Sequence, residues 1–351
     1  MNMHQIRAWA ATAAGKPLAA TTIQRREPRP TDIVIEIDFC GVCHSDIHQV
    51  RDEWTGALFP MVPGHEIIGR VTHVGSSVEK FKVGDTAGVG CMVDACRACR
   101  PCGEGHEQFC EKGMAPTYNG TEMDRTTRTY GGYSTQVVVD ERFALLVPKN
   151  LDPAGAAPLL CAGITTYSPL KRFGCKPGDR VGVVGLGGLG HMAVKLATSM
   201  GAEVTVFSTS EAKEADARKL GAKDFVITKD PAAFERLTGT FDLLIDTVSA
   251  KHDYNTYLTL LRPHSAMVLV GAPPEPAALS AFSLIMGGRQ LAGSLIGGIA
   301  ETQEMLEHCA KHGIVSDIEV IPIQKINEAY ERVLKSDVRY RFVIDMATLR
   351  A

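Results

Sequence analysis

Nine consecutive residues, Cys40-Gly41-Val42-Cys43-His44-Ser45-Asp46-Ile47-His48, gather thiols, a hydroxyl, a carboxylate and two imidazoles. Gly64-His65-Glu66 follows soon after, and Cys161 lies much further along in Leu160-Cys161-Ala162-Gly163. Thiolate sulfur and imidazole nitrogen are the favoured donors of zinc, and a zinc ion that does chemistry keeps three protein ligands and an open position. Cys43, His65 and Cys161 can be taken as three such ligands. Each also has a plainer role: a buried small thiol for Cys161, a satisfied core histidine for His65, a redox pair for Cys40 and Cys43. Spacing alone does not choose between them.

The neighbours suit a metal that handles protons. Asp46 can accept a hydrogen bond from the far nitrogen of His65 and fix its tautomer. Glu66 can stand behind the ion or join it as a fourth ligand. Ser45 and His48 are spaced to pass a proton between a bound alcohol and water. His44 is expected to face the other way, in an extended segment.

A second cluster, Cys96, Cys99, Cys102 and Cys110, follows the pattern C-x2-C-x2-C-x7-C. Four closely spaced thiols let one loop wrap a structural zinc ion without a scaffold. An iron–sulfur or redox cluster is the competing reading. Cys91 is surplus to this set and is expected as a packed thiol.

The third signal is Gly185-Leu186-Gly187-Gly188-Leu189-Gly190, placed directly after the apolar run Arg180 to Val184 and before the helical spacing of His191 to Met200. A G-x-G-x-x-G between strand and helix is the dinucleotide fingerprint. Gly185 allows the tight turn, Gly187 the approach of backbone to pyrophosphate, and Gly190 close packing of helix on strand. An acidic residue at the end of the next strand would select NAD. Here that place holds Ser208-Thr209-Ser210 with Lys213 beyond, which favours the 2′-phosphate of NADP; Glu211 is the residue that could still serve an NAD ribose.

Presenting these groups requires two kinds of domain. Up to about residue 150 the short β-prone runs Ile33–Ile37, Ile67–Val74, Gln136–Val139 and Phe143–Val147 alternate with Gly and Pro clusters, a compact β-rich body. Strands at Arg180–Val184, Glu203–Phe207, Asp224–Ile227, Phe241–Asp246, Ala266–Val270 and Leu291–Leu295 then alternate with helices, among them Glu211–Leu220. That alternation calls for a doubly wound parallel sheet, so the fold class is α/β. Residues 301–312 form a helix, and the remaining tail has strand Ile318–Ile321, helix Gln324–Leu334 and strand Phe342–Asp345; its composition suits either domain.

The 351 residues suffice for two domains, and 45% hydrophobic with 22% charged residues describes a water-soluble globular chain. A net charge of −3 offers no basic field for nucleic acid or a membrane surface. The first residues do not combine a basic start with an apolar run, so no secretory leader is expected, and the ten cysteines favour metal ligands and free thiols in a reducing cytoplasm.

These motifs resemble the zinc-type medium-chain dehydrogenase/reductases, in particular the cinnamyl alcohol dehydrogenase family and its bacterial NADP-dependent aldehyde reductase branch. The resemblance runs from about Ile6 to Leu349, with Pro63-Gly64-His65-Glu66 and Asp337 to Asp345 adding to the stretches above. It implies a GroES-like catalytic domain over 1–155 and 299–351, a Rossmann domain over 156–298, and a homodimer. It implies two zinc ions per chain: a catalytic one on Cys43, His65 and Cys161, with Glu66 able to join, and a structural one on the four-cysteine loop. The two-cysteine, one-histidine donor set is the known set of zinc alcohol dehydrogenases. It further implies a proton relay through Ser45 and His48, 2′-phosphate contacts at Ser208, Thr209 and Lys213, Thr165 near the nicotinamide and Arg341 near the pyrophosphate. Plant lignin-pathway members carry an aromatic residue where this chain has Ala115-Pro116, so a phenylpropenyl-specific pocket is not expected. Trp54, Cys91, Met92, Leu295 and Ile296 are the candidates for an apolar pocket taking assorted aldehydes.

The expected reaction is reversible hydride transfer between NADPH and an aldehyde. Two rivals stand beside it: an NAD-dependent alcohol or polyol dehydrogenase of the same fold, and a non-catalytic zinc protein that senses redox state by binding dinucleotide.

Overall fold

The structure, a computed structural model, describes residues 5–273 and 275–350. The chain forms two compact units, one made of the residues up to Cys161 with those from Gly297 onward, the other of Ala162–Ile296.

The first unit is built on a seven-stranded sheet centred on Asp32–Gly41. This strand pairs antiparallel with Gln136–Asp140, with Ile67–Val74 and with Arg341–Asp345. Ile33, Ile35 and Ile37 alternate inward and are fully buried, as the period of a strand requires. Thr86–Val89 and Leu145–Leu146 extend one edge. On the other side the tail strand Ile318–Pro322 pairs parallel with Arg341–Asp345, the helix Ile326–Leu334 lying between them in sequence. Composition left the tail unassigned; its backbone pairing puts it in this sheet.

The second unit has a six-stranded, all-parallel sheet in the order Asp224–Ile227, Glu203–Ser208, Arg180–Val184, Phe241–Asp246, Leu261–Leu269, Gln290–Gly293. The order reverses direction next to Arg180–Val184, the strand that leads into the glycine turn. One side of the sheet is filled by aromatic packing of Phe207 against Phe234, Phe241 and Tyr257, with ring centroids 5.5–5.9 Å apart.

Several local expectations are corrected. His44 is not in an extended segment but opens the helix His44–Val50, because the Asp46 carboxylate accepts the Cys43 N–H at 2.8 Å and closes the first turn. The strand placed at Phe143–Val147 shrinks to Leu145–Leu146, since Asp140 accepts the Arg142 N–H and starts a 3-10 turn over Glu141–Phe143. The helix placed at Glu211–Leu220 begins as a 3-10 turn, Glu211–Lys213, and becomes α only at Glu214–Lys219. The last parallel strand ends at Gly293, leaving Leu295 outside it. Among the described residues no helix is long and apolar enough to cross a membrane.

Candidate metal centres and dinucleotide site

Three separate elements deliver the first donor cluster. Cys43 sits at the N-terminus of helix His44–Val50, His65 and Glu66 immediately precede the strand Ile67–Val74, and Cys161 ends the 3-10 turn Ala157–Leu160. One donor atom from each of Cys43, His65, Glu66 and Cys161 lies within 4.8 Å of all the others, and all four residues are buried. The Cys43 and Cys161 sulfurs are 3.8 Å apart. The edge of a zinc tetrahedron with bonds of about 2.3 Å is about 3.8 Å, so the sulfurs stand at coordinating separation. Cys40 is not part of this group: its sulfur packs against Gly64 and Gly132, where an added Cβ would come within 2.7 Å of it.

Asp46 orients the histidine. It is fully buried, its Oδ1 lies 3.3 Å from His65 Nδ1, and it accepts the Cys43 and Gly64 N–H groups and the Tyr133 hydroxyl at 3.3 Å. The ring is thereby held with Nε2 left for an ion. Tyr330 donates to the Tyr133 hydroxyl at 3.5 Å, and the Tyr118 ring stacks on His65 at 5.7 Å. No sequence signal pointed to these three tyrosines.

The electrostatics suit a cation. A hydrogen bond from Cys161 holds the Cys43 thiol well below its ordinary range against the opposing effect of burial, while the same contact pushes Cys161 up. Burial raises the Glu66 carboxyl to about 7 despite Arg341, which donates to Glu66 Oε1 and, at 2.8 Å, to the Val42 carbonyl. Glu66 Oε2 is buried with no hydrogen-bond partner among the described residues. An orphaned carboxylate oxygen beside two thiols and an imidazole fits a zinc ion. Arg341 thus sits, 5% exposed, behind Glu66 in the first unit.

Ser45 and His48 lie one turn apart on the same short helix and therefore share a face. His48 Nδ1 contacts the Glu53 carboxylate, a partner that sequence reasoning missed. The His44, His48 and Trp54 rings form a stack with centroid spacings of 4.7 and 4.9 Å. Trp54 is half exposed, and Met92 is buried. Cys91, half-buried, lies beside Cys161, whose hydrogen bond lowers its thiol. Of the other pocket candidates, Leu295 is exposed and Ile296 buried, both in the second unit.

The four-cysteine loop is also assembled: donor atoms of Cys96, Cys99, Cys102 and Cys110 lie within 4.8 Å of one another. The Cys96 and Cys102 sulfurs are 3.9 Å apart and those of Cys99 and Cys102 3.4 Å. The Ala98 and Cys99 N–H groups draw the Cys96 thiol down to about 6, whereas burial and the Cys99 sulfur push Cys102 up to about 12. Thiols that oppose one another's ionisation this way are reconciled by a divalent cation. Glu107, within the loop, accepts the Ile299 N–H at 3.1 Å and so caps the helix Ile299–His312.

In the second unit Gly185 takes φ +90°, and a Cβ on Gly190 would sit 2.2 Å from the Gly185 carbonyl oxygen. Only glycine allows this turn to close onto the helix Gly190–Ser199. A Cβ on Gly187 would meet nothing within 4 Å, so that side of the loop, with Gly188 and Leu189 half-exposed, is open to a pyrophosphate. Lys213 Nζ reaches back to the Leu186 carbonyl at 2.9 Å, which brings a cation to the glycine loop. Ser208 is buried, with its hydroxyl accepting the Ser210 N–H at 3.2 Å; Thr209 is exposed and Ser210 half-exposed. Glu211 is exposed on the following turn. Thr165 is buried in the helix Ala162–Arg172.

The family model for the alcohol dehydrogenase GroES-like domain matches residues 29–149, and that for zinc-binding dehydrogenases matches residues 188–311. An NADP-dependent alcohol dehydrogenase of Mycolicibacterium smegmatis is 55% identical over 350 residues, 99% of this chain and 100% of that one. An aldehyde reductase of Escherichia coli is 53% identical over 347 residues, 98% of this chain and 99% of that one. The solved structure of a cinnamyl alcohol dehydrogenase from Sorghum bicolor superposes with a TM-score of 0.95 at 46% identity, covering 98% of both chains. By fold, by donor chemistry and by sequence over its whole length, the chain belongs to the zinc-binding alcohol dehydrogenase family of oxidoreductases.

Proposed function

We propose that this enzyme interconverts aldehydes and primary alcohols with NADPH as hydride donor, over a broad range of small aldehydes. The observation that carries this reading is the convergence of Cys43, His65 and Cys161 donors around the orphaned Glu66 oxygen, with a hydroxyl and an imidazole one helical turn apart beside them. Held there, a zinc ion would polarise a carbonyl oxygen while a bound NADPH supplies hydride to its carbon. Asp46 fixes the His65 ring, and Arg341 holds Glu66 in reserve as a further donor. Ser45 and His48 move a proton to the nascent alcohol oxygen, and the Glu53 carboxylate accepts the His48 Nδ1–H and orients its Nε2. Trp54 and Cys91 supply apolar contact for the aldehyde.

The unit up to Cys161 with the tail serves as the catalytic body, and Ala162–Ile296 as the nucleotide-binding one. Thr209, Ser210 and Lys213 favour the 2′-phosphate of NADP, which accords with the NADP dependence of the Mycolicibacterium relative. The Cys96, Cys99, Cys102 and Cys110 loop holds a second, structural zinc. The free thiols suit a reducing cytoplasm. A homodimer is supported by the exposed apolar side chains of Phe282, Ile285 and Met286 next in sequence to Gln290–Gly293, which ends the parallel sheet.

The test is NADPH and NADH oxidation by the zinc-loaded protein over aliphatic and aromatic aldehydes, with Cys43→Ser alongside. Turnover with NADPH that vanishes in the variant is expected. A preference for NADH, inertness to every aldehyde, or full activity of the variant would overturn the reading.

A further inference from the structure

The strand Phe241–Asp246 ends beside the glycine turn, with Asp246 opposite Val184 in the parallel register. In sheets of this kind a nucleotide occupies the crevice outside the carboxyl ends of the strands, where the strand order reverses. Asp246 stands at that point, yet it is only 1% exposed. Its carboxylate turns back on its own loop: Oδ1 accepts the Val248 N–H at 3.1 Å, and Oδ2 lies 2.9 Å from His252 Nε2. The other ring nitrogen, Nδ1, lies 2.8 Å from the Ala250 carbonyl oxygen. Asp246 and His252 thus close the ends of one short loop on each other.

Within that loop Thr247 and Val248 pack against the glycine turn. The Thr247 N–H and hydroxyl both donate to the Val184 carbonyl, at 3.0 and 2.8 Å. A Cβ on Gly185 would lie 2.9 Å from Thr247 Oγ1 and from Val248 Cγ2, and one on Gly190 would lie 3.3 Å from the same hydroxyl. A Cβ on Gly271 would come within 2.4 Å of the Val248 carbonyl oxygen. Contacts this close leave no slack, so a shift of Val248 is felt at the turn.

Both partners of the His252 ring are acceptors. A neutral imidazole has one N–H and must give up one of them, whereas the imidazolium serves both. The acids acting on the ring are Asp246 and Asp253, which also caps the helix Tyr254–Leu258. The Tyr254 and Tyr257 rings stand nearly perpendicular to it, with centroids 4.8 and 5.6 Å away, and Lys251 pairs with Glu275 at 2.9 Å. We infer that Asp246 and the charged His252 are positioning residues for the dinucleotide: they clasp Thr247 and Val248 against the glycine turn, so that affinity for NADPH falls as His252 loses its proton. The inference rests on the reading of residues 185–190 as the pyrophosphate turn.

Titration of the zinc-loaded protein with NADPH, followed by nicotinamide fluorescence at pH 6.5 and at pH 9, gives the test. The wild-type Kd is expected to rise about fivefold over that interval. In His252→Gln it should stay level, near the wild-type value at pH 9. ADP-ribose, which lacks both the nicotinamide and the 2′-phosphate, should show the same rise with the wild type in calorimetry. At pH 6.5 the variant should have a raised KM for NADPH and a kcat near wild type at saturating NADPH, a split that general loss of structure does not give. A wild-type Kd that is level across the interval, a rise that persists in the variant, or a rise confined to NADPH overturns the inference. The first and last of these need no variant, should His252→Gln fail to fold. A wild type that binds neither ligand refutes the reading of the glycine turn, and the inference with it.

Discussion

Arg341 and Glu66, 275 positions apart in sequence, form a buried ion pair at the metal-donor cluster. The guanidinium also bonds the Val42 carbonyl, so it ties the residue before Cys43 to the residue after His65. Removing one partner of such a pair strands the other charge in a low-dielectric site, at a cost of about 3–5 kcal/mol. Arg341→Gln is therefore expected to destabilise the protein by that amount in urea unfolding. Adding Glu66→Gln to it should recover a substantial part; strictly additive losses would show that the two side chains do not act as a pair.

Gly41 makes room for that carboxylate. A Cβ at this position would lie 1.9 Å from Glu66 Oε2, and the Gly41 N–H is bonded to the Glu66 carbonyl, so the backbone cannot retreat. Gly41→Ala is expected to displace Glu66, lower zinc content and cut kcat by about tenfold or more, because small misplacements at a reacting centre are costly. Metal analysis alongside steady-state kinetics checks it.

The Glu53 carboxylate accepts from His48, so in the proposed relay it would stand at the outer end of the proton path. Glu53→Gln keeps the shape and removes the charge. The expected result is a fall in kcat of about tenfold, with KM for the aldehyde and the melting temperature little changed. An unchanged kcat would exclude Glu53 from the path.

The four-cysteine loop acts through stability. Its metal would hold Glu107 against the start of the helix Ile299–His312, where a Cβ on Gly298 would come within 1.8 Å of the Gly105 carbonyl oxygen. Cys99→Ser should release one zinc per chain and destabilise the protein by more than about 4 kcal/mol, while leaving turnover per folded molecule near wild type in the cold. Metal content and thermal unfolding separate this from damage at the catalytic cluster.

His252 offers a pH test far from the metal ligands in sequence. Burial works against its charge, but Asp246 Oδ2 at 2.9 Å and the Ala250 carbonyl at 2.8 Å face both ring nitrogens and raise its pKa. A raised folded-state pKa gives stability that is full below the unfolded value of about 6.5 and lost as pH climbs through the folded value. His252→Gln should therefore cost more at pH 6 than at pH 9 in denaturant titrations. An equal cost at both would assign the residue to packing alone.

The motif residues were legible because their chemistry is unusual for a core: thiols, imidazole and glycines at fixed spacings have few common uses. The parallel sheet was legible because strand and helix periods alternate cleanly from Arg180 to Ile245. The helix His44–Val50 was not, since seven residues show no periodicity and its start depends on the Asp46 carboxylate turning back to the Cys43 N–H. Glu53, Tyr133 and Tyr330 were also invisible, because their partners are set by a loop's path and by sheet register rather than by any local pattern. The 3-10 turn over Glu141–Phe143 shortened an expected strand to Leu145–Leu146 for a similar reason: the Asp140 cap took its first residue.

The strand Arg341–Asp345 occupies an interior position, between Asp32–Gly41 and Ile318–Pro322. During synthesis Phe39–Gly41, the end of the central strand next to Cys43, gains its partner on that edge only after residues 162–296 have been made. A product that ends before Arg341 lacks this strand of the sheet and the cation paired with Glu66. A chain cut short of Arg341 thus loses an internal strand and the Glu66 partner together.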